Sequence, residues 1–581
     1  MPGSEDFVQS AVHALEAGGM AVWVRRSAVA LGIVAIAAIY LYQFRGLPTS
    51  HGMDQAQVGR AIVRGEGWST KLARPRAVSQ LQAHGKSVAD KIWIDTFNAP
   101  LPPLVDGIAL LFVKPYWKIS SRTVVYAGDR AVVIMSILLF VASVAVLFFV
   151  ARRLFDRRLA LLACGLVLLC DAMWQYSLSG LPQMLLLLLF NTAIYLLVRA
   201  VEAHYAEESI SKWLAAAGAV FGLLMLTHAL TFWIFLGVLI FAAFYFHPRG
   251  WSAALMLGPW LIVYLPWAIR TWAVTGNPGG VAIYSIFNGI AHNEWNWMRQ
   301  SNFDPGTGLL GAFRDKISSG LIGQTAHLFE YFGLSVVALM FFVSLLYTFK
   351  RTETATMRWI VLAMWGGAVL GMTLYGINDE QGVAANQLHL IFVPIMTCYG
   401  LAYLLVQWNR LAVTIPFERA GFITLLYLLC ALPMIFATPW LAPAHPFVRW
   451  PPYVPALIGI LNDWMKPEEI TASDMPWAVA WYADRRSLAL PETIQVFTDL
   501  GDYHTLGGPV NGLYLTPLSG TDNKLRDIVK GEYKDWSAVI QRTQQLEKFP
   551  LKWNTVALGL DNECIFLSDH DRNQEHPQSG K

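Results

Sequence analysis

Residues 152–169 read RRLFDRRLALLACGLVLL. Four arginines, Arg152, Arg153, Arg157 and Arg158, crowd a short polar break, and apolar runs lie on both sides of it. Two membrane spans joined by a short cytoplasmic loop give this pattern, because basic residues in short loops stay on the cytoplasmic side. Apolar runs recur along the chain near 27–44, 131–151, 159–176, 183–198, 213–229, 231–246, 251–269, 327–349, 357–376, 387–406 and 420–438. They predict eleven spans, several of them shorter than the ~20 residues that a straight crossing needs. The stretch LTHALTFW supplies the turn that divides 213–246. Composition agrees: 55% of the 581 residues are hydrophobic, only 14% are charged, and the mean hydropathy is +0.43. A soluble domain carries about 25% charged residues.

The other short-loop cations fall on the same side as the quoted arginines if there are eleven spans. They are Arg25 and Arg26, Arg199 and Lys212, Arg249, Lys350, Arg351 and Arg358, and Arg410 and Arg419. The N-terminus is then cytoplasmic, the first run is an uncleaved signal anchor, and the C-terminus lies outside. The organisation that follows is a cytoplasmic segment 1–26, a transmembrane body 27–440 with external loops 45–130 and 270–326, a linker 441–456, an external α/β domain 457–570 and a disordered tail 571–581. Within the first loop, NAPLPPLVDGIALLF is apolar but proline-broken and reads as a helix lying at the membrane interface. In the last domain EITASD and SLALP read as strands, PWAVAWYADR and LRDIVKGEYKDWSAVIQR as helices, and TVALGLDNECIFLSD as a hairpin. The fold class is thus mainly α, a polytopic bundle with a small α/β domain. The net charge of +3 gives no sign of nucleic-acid binding, and the five cysteines show neither a disulfide framework nor metal spacing.

Chemistry is sought in HGMDQAQVGRAIVRGEGW, residues 51–68. Asp54 opens a helical segment ended by Gly65 and Gly67, with Gln57, Val58 and Ala61 on its face and Arg60 and Arg64 stacked at i, i+4. Asp54 reads either as the N-cap of that helix or as a group working at the membrane surface. The second loop holds AHNEWNWMRQ, where His292, Glu294, Trp295 and Trp297 either line a sugar site or anchor an interfacial helix. His228 stands at the turn between two spans, His389 at the outer start of another, and Asp379 and Glu380 read as solvated loop charges.

The order of these motifs resembles the GT-C superfamily of membrane glycosyltransferases, in particular the bacterial dolichyl-phosphate-mannose-protein mannosyltransferase and aminoarabinose-transferase type of family 39. GMDQAQVGRAIVRGEGW and FNAPLPPL look like the first-loop motifs of that family, and PWAIRTWAVTGNP looks like its motif after the seventh span. RRLFDRRLALLACGLVLL and TASDMPWAVAWYADRRSLALP extend the resemblance over nearly the whole chain. Three positions depart from the family pattern: Gln55 for the second acidic residue, Asn98 for a histidine, and Gln183 for an acidic residue.

The resemblance implies an inverting glycosyltransferase of the cytoplasmic membrane, acting at its outer face. The donor would be a polyprenyl-phosphate-linked sugar and the acceptor a glycan, lipid or protein. Phosphate is a stable leaving group, so one carboxylate suffices to take the acceptor's proton while cations neutralise the phosphate. Asp54 is expected as that base. Arg270, Arg60, Arg299 and His389 are expected at the donor phosphate, with Arg64, Arg74, Arg130 and Arg314 as further options. Gln57, Asn98, His292, Glu294 and Trp295 are expected at the sugar or acceptor. No cofactor and no metal ligand are assigned; a divalent cation wants several oxygen ligands, and the acidic complement is thin. A polysaccharide polymerase or ligase, and a transporter or envelope scaffold, are the rival readings. Against transport, the polar residues crowd at the outer ends of the spans rather than at mid-span.

Overall fold

The computed structural model describes residues 19–86, 88, 92–117, 119, 123, 125–290, 297–304, 306–380, 382–411, 418–437, 451, 453–502, 505–541, 549–554 and 563–572. The helices, in chain order, begin with α1 (Gly19–Gln43). Three short ones follow, α2 (Ser50–Arg64), α3 (Pro75–Ala83) and α4 (Leu101–Leu111). Then come α5 (Ala127–Leu154), α6 (Arg157–Leu168), α7 (Asp171–Ser177), α8 (Gln183–Tyr205), α9 (Ser211–Thr227), α10 (Thr231–Tyr245) and α11 (Trp251–Thr275). The set continues with α12 (Leu309–Ala326), α13 (Val336–Ser344), α14 (Thr352–Tyr375), α15 (His389–Arg410) and α16 (Glu418–Ala437).

Among the described residues seven helices, α1, α5, α8, α11, α14, α15 and α16, are long and apolar enough to cross a membrane. The number is eight if α6 and α7, which meet at a 60° bend, form one span. This multi-pass bundle has fewer full-length spans than the eleven expected. The run 213–246 is two helices of 17 and 15 residues, α9 and α10. The run 327–349 is interrupted where Gly333 and Leu334 both take positive φ (62° and 59°), leaving α13 as a nine-residue helix. Helix α15 is the centre of the bundle, with 83% of its apolar window buried, whereas α1 lies at the periphery with 6%.

Among the described residues eight strands complete the fold: β1 (Ser69–Thr70), β2 (Leu72–Ala73), β3 (Trp93–Ile94), β4 (Ile470–Ser473), β5 (Arg486–Ala489), β6 (Val510–Leu515), β7 (Trp553–Asn554) and β8 (Ile565–Ser568). β1 and β3 form a small antiparallel pair. The other six make one sheet in the order β2-β5-β4-β6-β8-β7. β2, β5, β4 and β6 run parallel, while β8 and β7 are antiparallel additions. Leu72 stands opposite Ser487 and Ala73 opposite Leu488, so a strand of the first long loop forms the edge of the C-terminal sheet. Ala73, Ile470, Ala472, Leu488 and Leu513 share one buried core, which makes that edge part of the same packed unit.

The strands read from EITASD and SLALP are β4 and β5. The hairpin read from TVALGLDNECIFLSD has β7 and β8 as paired strands, with residues 555–562 outside the described set. LRDIVKGEYKDWSAVIQR is not one helix: Gly531 takes φ 88°, and only short turns and a five-residue helix, Ser537–Gln541, form around it. A backbone at that angle cannot continue a right-handed helix.

Candidate active site

Helix α2 starts four residues before Asp54. Its N-cap is Thr49, whose hydroxyl accepts from the Gly52 N–H at 3.2 Å. Asp54 is therefore not the cap; it sits in the second turn and points inward, 1% exposed. The helix ends at Gly65, whose φ of 83° lets the Glu66 N–H close back on the Ala61 carbonyl. Gly59 has its own reason: a Cβ there would lie 2.7 Å from the Pro103 carbonyl oxygen, so only glycine lets α2 cross α4 this closely. That crossing brings the loop before α4 against Asp54.

The Asp54 carboxylate is held from three directions. Arg74, at the start of α3, donates to Oδ2 at 2.6 Å. Asn98 Nδ2 donates to the same oxygen at 2.9 Å, and Gln57 Nε2 donates to Oδ1 at 3.2 Å. Burial by itself would raise the affinity of this carboxyl for a proton. The Arg74 charge and the hydrogen bonds from Arg74 and Asn98 outweigh burial and hold it below its ordinary value, so Asp54 is an anion at neutral pH. Both N–H donors of Gln57 are committed, since its amide also donates to Thr70 at 2.6 Å, and its oxygen accepts from the Lys71 N–H at 3.1 Å. Its place is to orient Asp54. Asn98 keeps Oδ1 buried and without a partner among the described residues, which leaves an acceptor beside Asp54.

A second carboxylate, Asp95, escaped the sequence reading. It is 1% exposed and lies three residues before Asn98. Its oxygens accept from the Phe97 and Asn98 N–H groups and, at 3.4 Å, from Asn98 Nδ2. One amide therefore bridges the two carboxylates. Burial and the charge of Asp54 raise the Asp95 carboxyl above its ordinary value, partly offset by Arg74, the Phe97 N–H and Arg270. The bond from Asp95 to the N–H two residues on is an Asx-turn, so the DTFN stretch before the proline cluster was the available signal. Arg270, from the end of α11, donates to the Asp95 backbone carbonyl at 3.1 Å and lies 4.5 Å over the Trp267 ring. It is thus brought into the same cluster. Arg74 lies 3.9 Å over Phe97, and His51, one turn ahead of Gln55 on α2, packs edge-on against that ring. Burial, relieved in part by Asp54 and reinforced by Arg74, pushes the imidazole of His51 down to about 4, so it is neutral.

The remaining expected residues are placed elsewhere. Arg60 is buried, with its guanidinium donating to the carbonyls of Trp481 and Ala480 at 2.9 and 2.8 Å and paired with Asp484 at 3.1 Å. Arg64 grips both Asp484 oxygens, and Lys71 Nζ reaches one of them at 2.6 Å. Three cations converge on one carboxylate and hold it, against burial, below its ordinary value. Next to this hub Asp129 accepts from Trp481 Nε1 at 2.7 Å and Tyr482 Oη at 2.9 Å. These contacts lock α2 to the C-terminal unit; Asp484 and Asp129 are further residues that sequence reasoning did not single out. Arg299 is spent likewise on the carbonyls of Leu490, Pro491 and Glu532 and on the Glu532 carboxylate. His389 accepts from Trp365 Nε1 at 3.1 Å through Nδ1, which leaves Nε2 to donate to Gln324 at 3.1 Å. Its donor and acceptor are both used inside the bundle. His228 lies in the break between α9 and α10. Glu380 is no solvated charge, since it binds the first residue of α2. Arg314 is exposed and paired with Asp315. Trp297 is buried against Phe303. His292, Glu294 and Trp295 lie outside the described residues.

No set of three or more histidine, cysteine, aspartate or glutamate side chains among the described residues stands close enough to hold a metal ion. The groups that donate to the Asp54 carboxylate are one guanidinium and two side-chain amides.

Residues 115–271 match the model of the dolichyl-phosphate-mannose-protein mannosyltransferase family. No curated protein matches the chain in sequence. ArnT from Cupriavidus metallidurans, in a crystal structure bound to undecaprenyl phosphate, is similar with a TM-score of 0.53 at 12% identity, over 94% of this chain and 98% of that one. The Archaeoglobus fulgidus oligosaccharyltransferase tethered with an acceptor peptide gives 0.51 at 13% identity, over 93% of this chain and 74% of that one. The same enzyme in complex with Zn and sulfate gives 0.50 at 14% identity, over 84% and 68%. At such identities the likeness is one of fold.

Proposed function

We propose that this chain, a membrane glycosyltransferase of the GT-C fold, moves a sugar from a polyprenyl-phosphate carrier to an acceptor at the outer face of the cytoplasmic membrane, with inversion at the anomeric carbon. The observation that carries the reading is the buried Asp54 anion, held by Arg74 and Asn98 and flanked by Arg270 through the Asp95 loop. The undecaprenyl phosphate bound by the Cupriavidus protein supports the carrier, and the acceptor peptide held by the Archaeoglobus enzyme supports a second substrate at the same kind of site.

The proposed chemistry uses few groups. The acceptor hydroxyl gives its proton to Asp54 as its oxygen attacks the anomeric carbon. The bond from that carbon to the phosphate oxygen breaks on the opposite face, and its electron pair leaves with the phosphate. Arg270 and Arg74 neutralise the departing anion; guanidinium suits two phosphate oxygens at once. Arg74 has a double part. While it is paired with Asp54, the carboxylate is a poor base. A donor phosphate competes for the guanidinium, and once it draws Arg74 away the basicity of Asp54 rises. The base is then strong only when the donor is in place, which disfavours idle proton exchange with water. Asn98 Oδ1 is left to accept from a substrate hydroxyl.

The test is a comparison of cell-envelope glycans and lipid-linked sugars by mass spectrometry, with and without the gene. Deletion should remove one sugar modification and accumulate its polyprenyl-phosphate donor, and the wild-type gene should reverse both. Identical glycan and donor profiles in the two strains would overturn the reading.

A further inference from the structure

Away from Asp54 lies a cavity of about 460 Å³. Two of its walls are α7 and the loop carrying Asp379 and Gln387, and Tyr331 and Pro433 lie on other sides. The two walls are bonded to each other, because the Ala384 N–H donates to Tyr176 Oη at 3.0 Å. Both also hold the start of α2. From the loop, Glu380 accepts from the Ser50 N–H and the Ser50 hydroxyl, each at 2.6 Å. From just past α7, the Ser179 carbonyl accepts from the Thr49 hydroxyl at 2.7 Å. Asp54 follows four residues later, about 6 Å further along the helix axis. The cavity and the catalytic helix therefore share one hydrogen-bonded frame.

The lining specifies the occupant. Gln175 and Tyr331 present an amide and a phenol, and Asp171, Glu330 and Asp379 present carboxylates. No lysine or arginine among the described residues lines it. The imidazole in the lining, His327, is paired with Glu330 at 3.0 Å, so a phosphate or sulfate entering here meets the like charge of Asp171, Glu330 and Asp379. Sugar hydroxyls find the planar acceptors and donors they pair with, beside the apolar faces of the tyrosine rings. Small-molecule sites span about 300–1,000 Å³, so the volume admits a sugar head group. Asp171 is also fixed in place, with Tyr40 and Gln175 both donating to it.

We propose that this cavity is the acceptor subsite, and that it takes a hydroxyl-rich head group carrying no net negative charge. The proposal rests on the glycosyl-transfer reading above. It separates the two substrates by charge: the anionic donor goes to Arg74 and Arg270, and the acceptor enters on the acidic side, guided by the frame that holds Ser50.

The experiment uses the full chain in amphipol, free of sugar-based detergent. Octyl β-glucoside and octyl β-glucuronide, both below their micellar concentrations, serve as neutral and anionic probes, and undecaprenyl phosphate serves as the donor-side probe. The glucoside should bind saturably and the glucuronide at least tenfold more weakly. Ala172→Trp, which fills the cavity, should weaken the glucoside at least tenfold and leave undecaprenyl phosphate unchanged; Gln175→Ala should weaken the glucoside without the bulk of tryptophan. Glucoside binding unchanged in both variants, or glucuronide bound as well as glucoside, overturns the subsite. Failure of the wild-type chain to bind undecaprenyl phosphate, with glucoside binding as expected, instead overturns the carrier assignment.

Discussion

Replacing Asp54 by asparagine tests the proposed base at one position, and its effects on stability and on rate differ in size. The shape and one acceptor oxygen survive; the charge does not. Asp54 is 1% and Arg74 11% exposed, with 2.6 Å between their nearest atoms. Two unit charges about 4 Å apart attract by ~4 kcal/mol at an effective dielectric of 20. Not all of that is lost, because the asparagine oxygen still accepts from Arg74, and Arg74 keeps the Phe97 face at 3.9 Å. A destabilisation of about 1–3 kcal/mol is expected, the cost of a charged group left with a poorer partner. The rate should fall by roughly 10²–10⁴, the usual contribution of a general base, equivalent to about 3–5 kcal/mol of barrier. Adding Arg74→Gln removes the stranded cation: stability should recover by at least half, and transfer should not recover. The assay is transfer of labelled sugar from a polyprenyl-phosphate donor in membranes, normalised to protein amount, alongside thermal unfolding of the purified variants. Activity of folded Asp54→Asn within tenfold of wild type would refute the base assignment.

Three further outcomes follow from the same geometry. Arg270→Ala should weaken undecaprenyl phosphate binding by roughly 10–100-fold, the loss of about 1.5–3 kcal/mol from hydrogen bonds to a charged group, with unfolding temperature little changed; unaltered binding in a titration would remove Arg270 from the donor site. Asp484→Ala leaves Arg60 buried beside two half-buried cations and should cost about 3 kcal/mol in thermal unfolding, the low end for breaking a buried pair; a loss under 1 kcal/mol contradicts the hub. Asp95 carries a raised carboxyl. Its folded form takes up a proton before its unfolded form does as pH falls, so its contribution to stability is complete below the ordinary carboxylate range and fades as pH rises through the raised value. The stability difference between wild type and Asp95→Asn should therefore shift in favour of wild type on mild acidification, measured as unfolding temperature against pH; a pH-independent difference contradicts burial of that charge.

The sequence carried the bundle and singled out Asp54, but not the partners that surround it. Apolar runs announce membrane helices whatever surrounds them, while the breaks at His228 and at Gly333–Leu334 depend on local backbone angles that hydropathy does not record. Asp54 was singled out by the order of motifs around it and their resemblance to a known family; the residues next to it were equally read as those of a helix cap. The reading of Arg60 and Arg64 as an i, i+4 pair was geometrically apt, since both reach one carboxylate, yet that carboxylate is 420 residues away along the chain. Arg74 comes to Asp54 from 20 residues downstream and Asn98 from 44, by a fold-back that no periodicity encodes. His389 looked functional because a polar group at the end of a span is costly; Trp365 and Gln324 meet that cost within the bundle.

The edge strand β2 also has a consequence in time. Lys71, which precedes it, is made 413 residues before its partner Asp484. At about 5–20 residues per second of synthesis, the interval is roughly 20–80 s. Throughout it, Arg60, Arg64 and Lys71 lack the Asp484 carboxylate and Leu72–Ala73 lacks its partner strand, although the intervening helices are already available to insert. The helix that bears Asp54 gains its final supports only when β5 arrives. A ribosome that stops before then leaves a chain whose bundle helices are made but whose α2 lacks its anchor at Asp484.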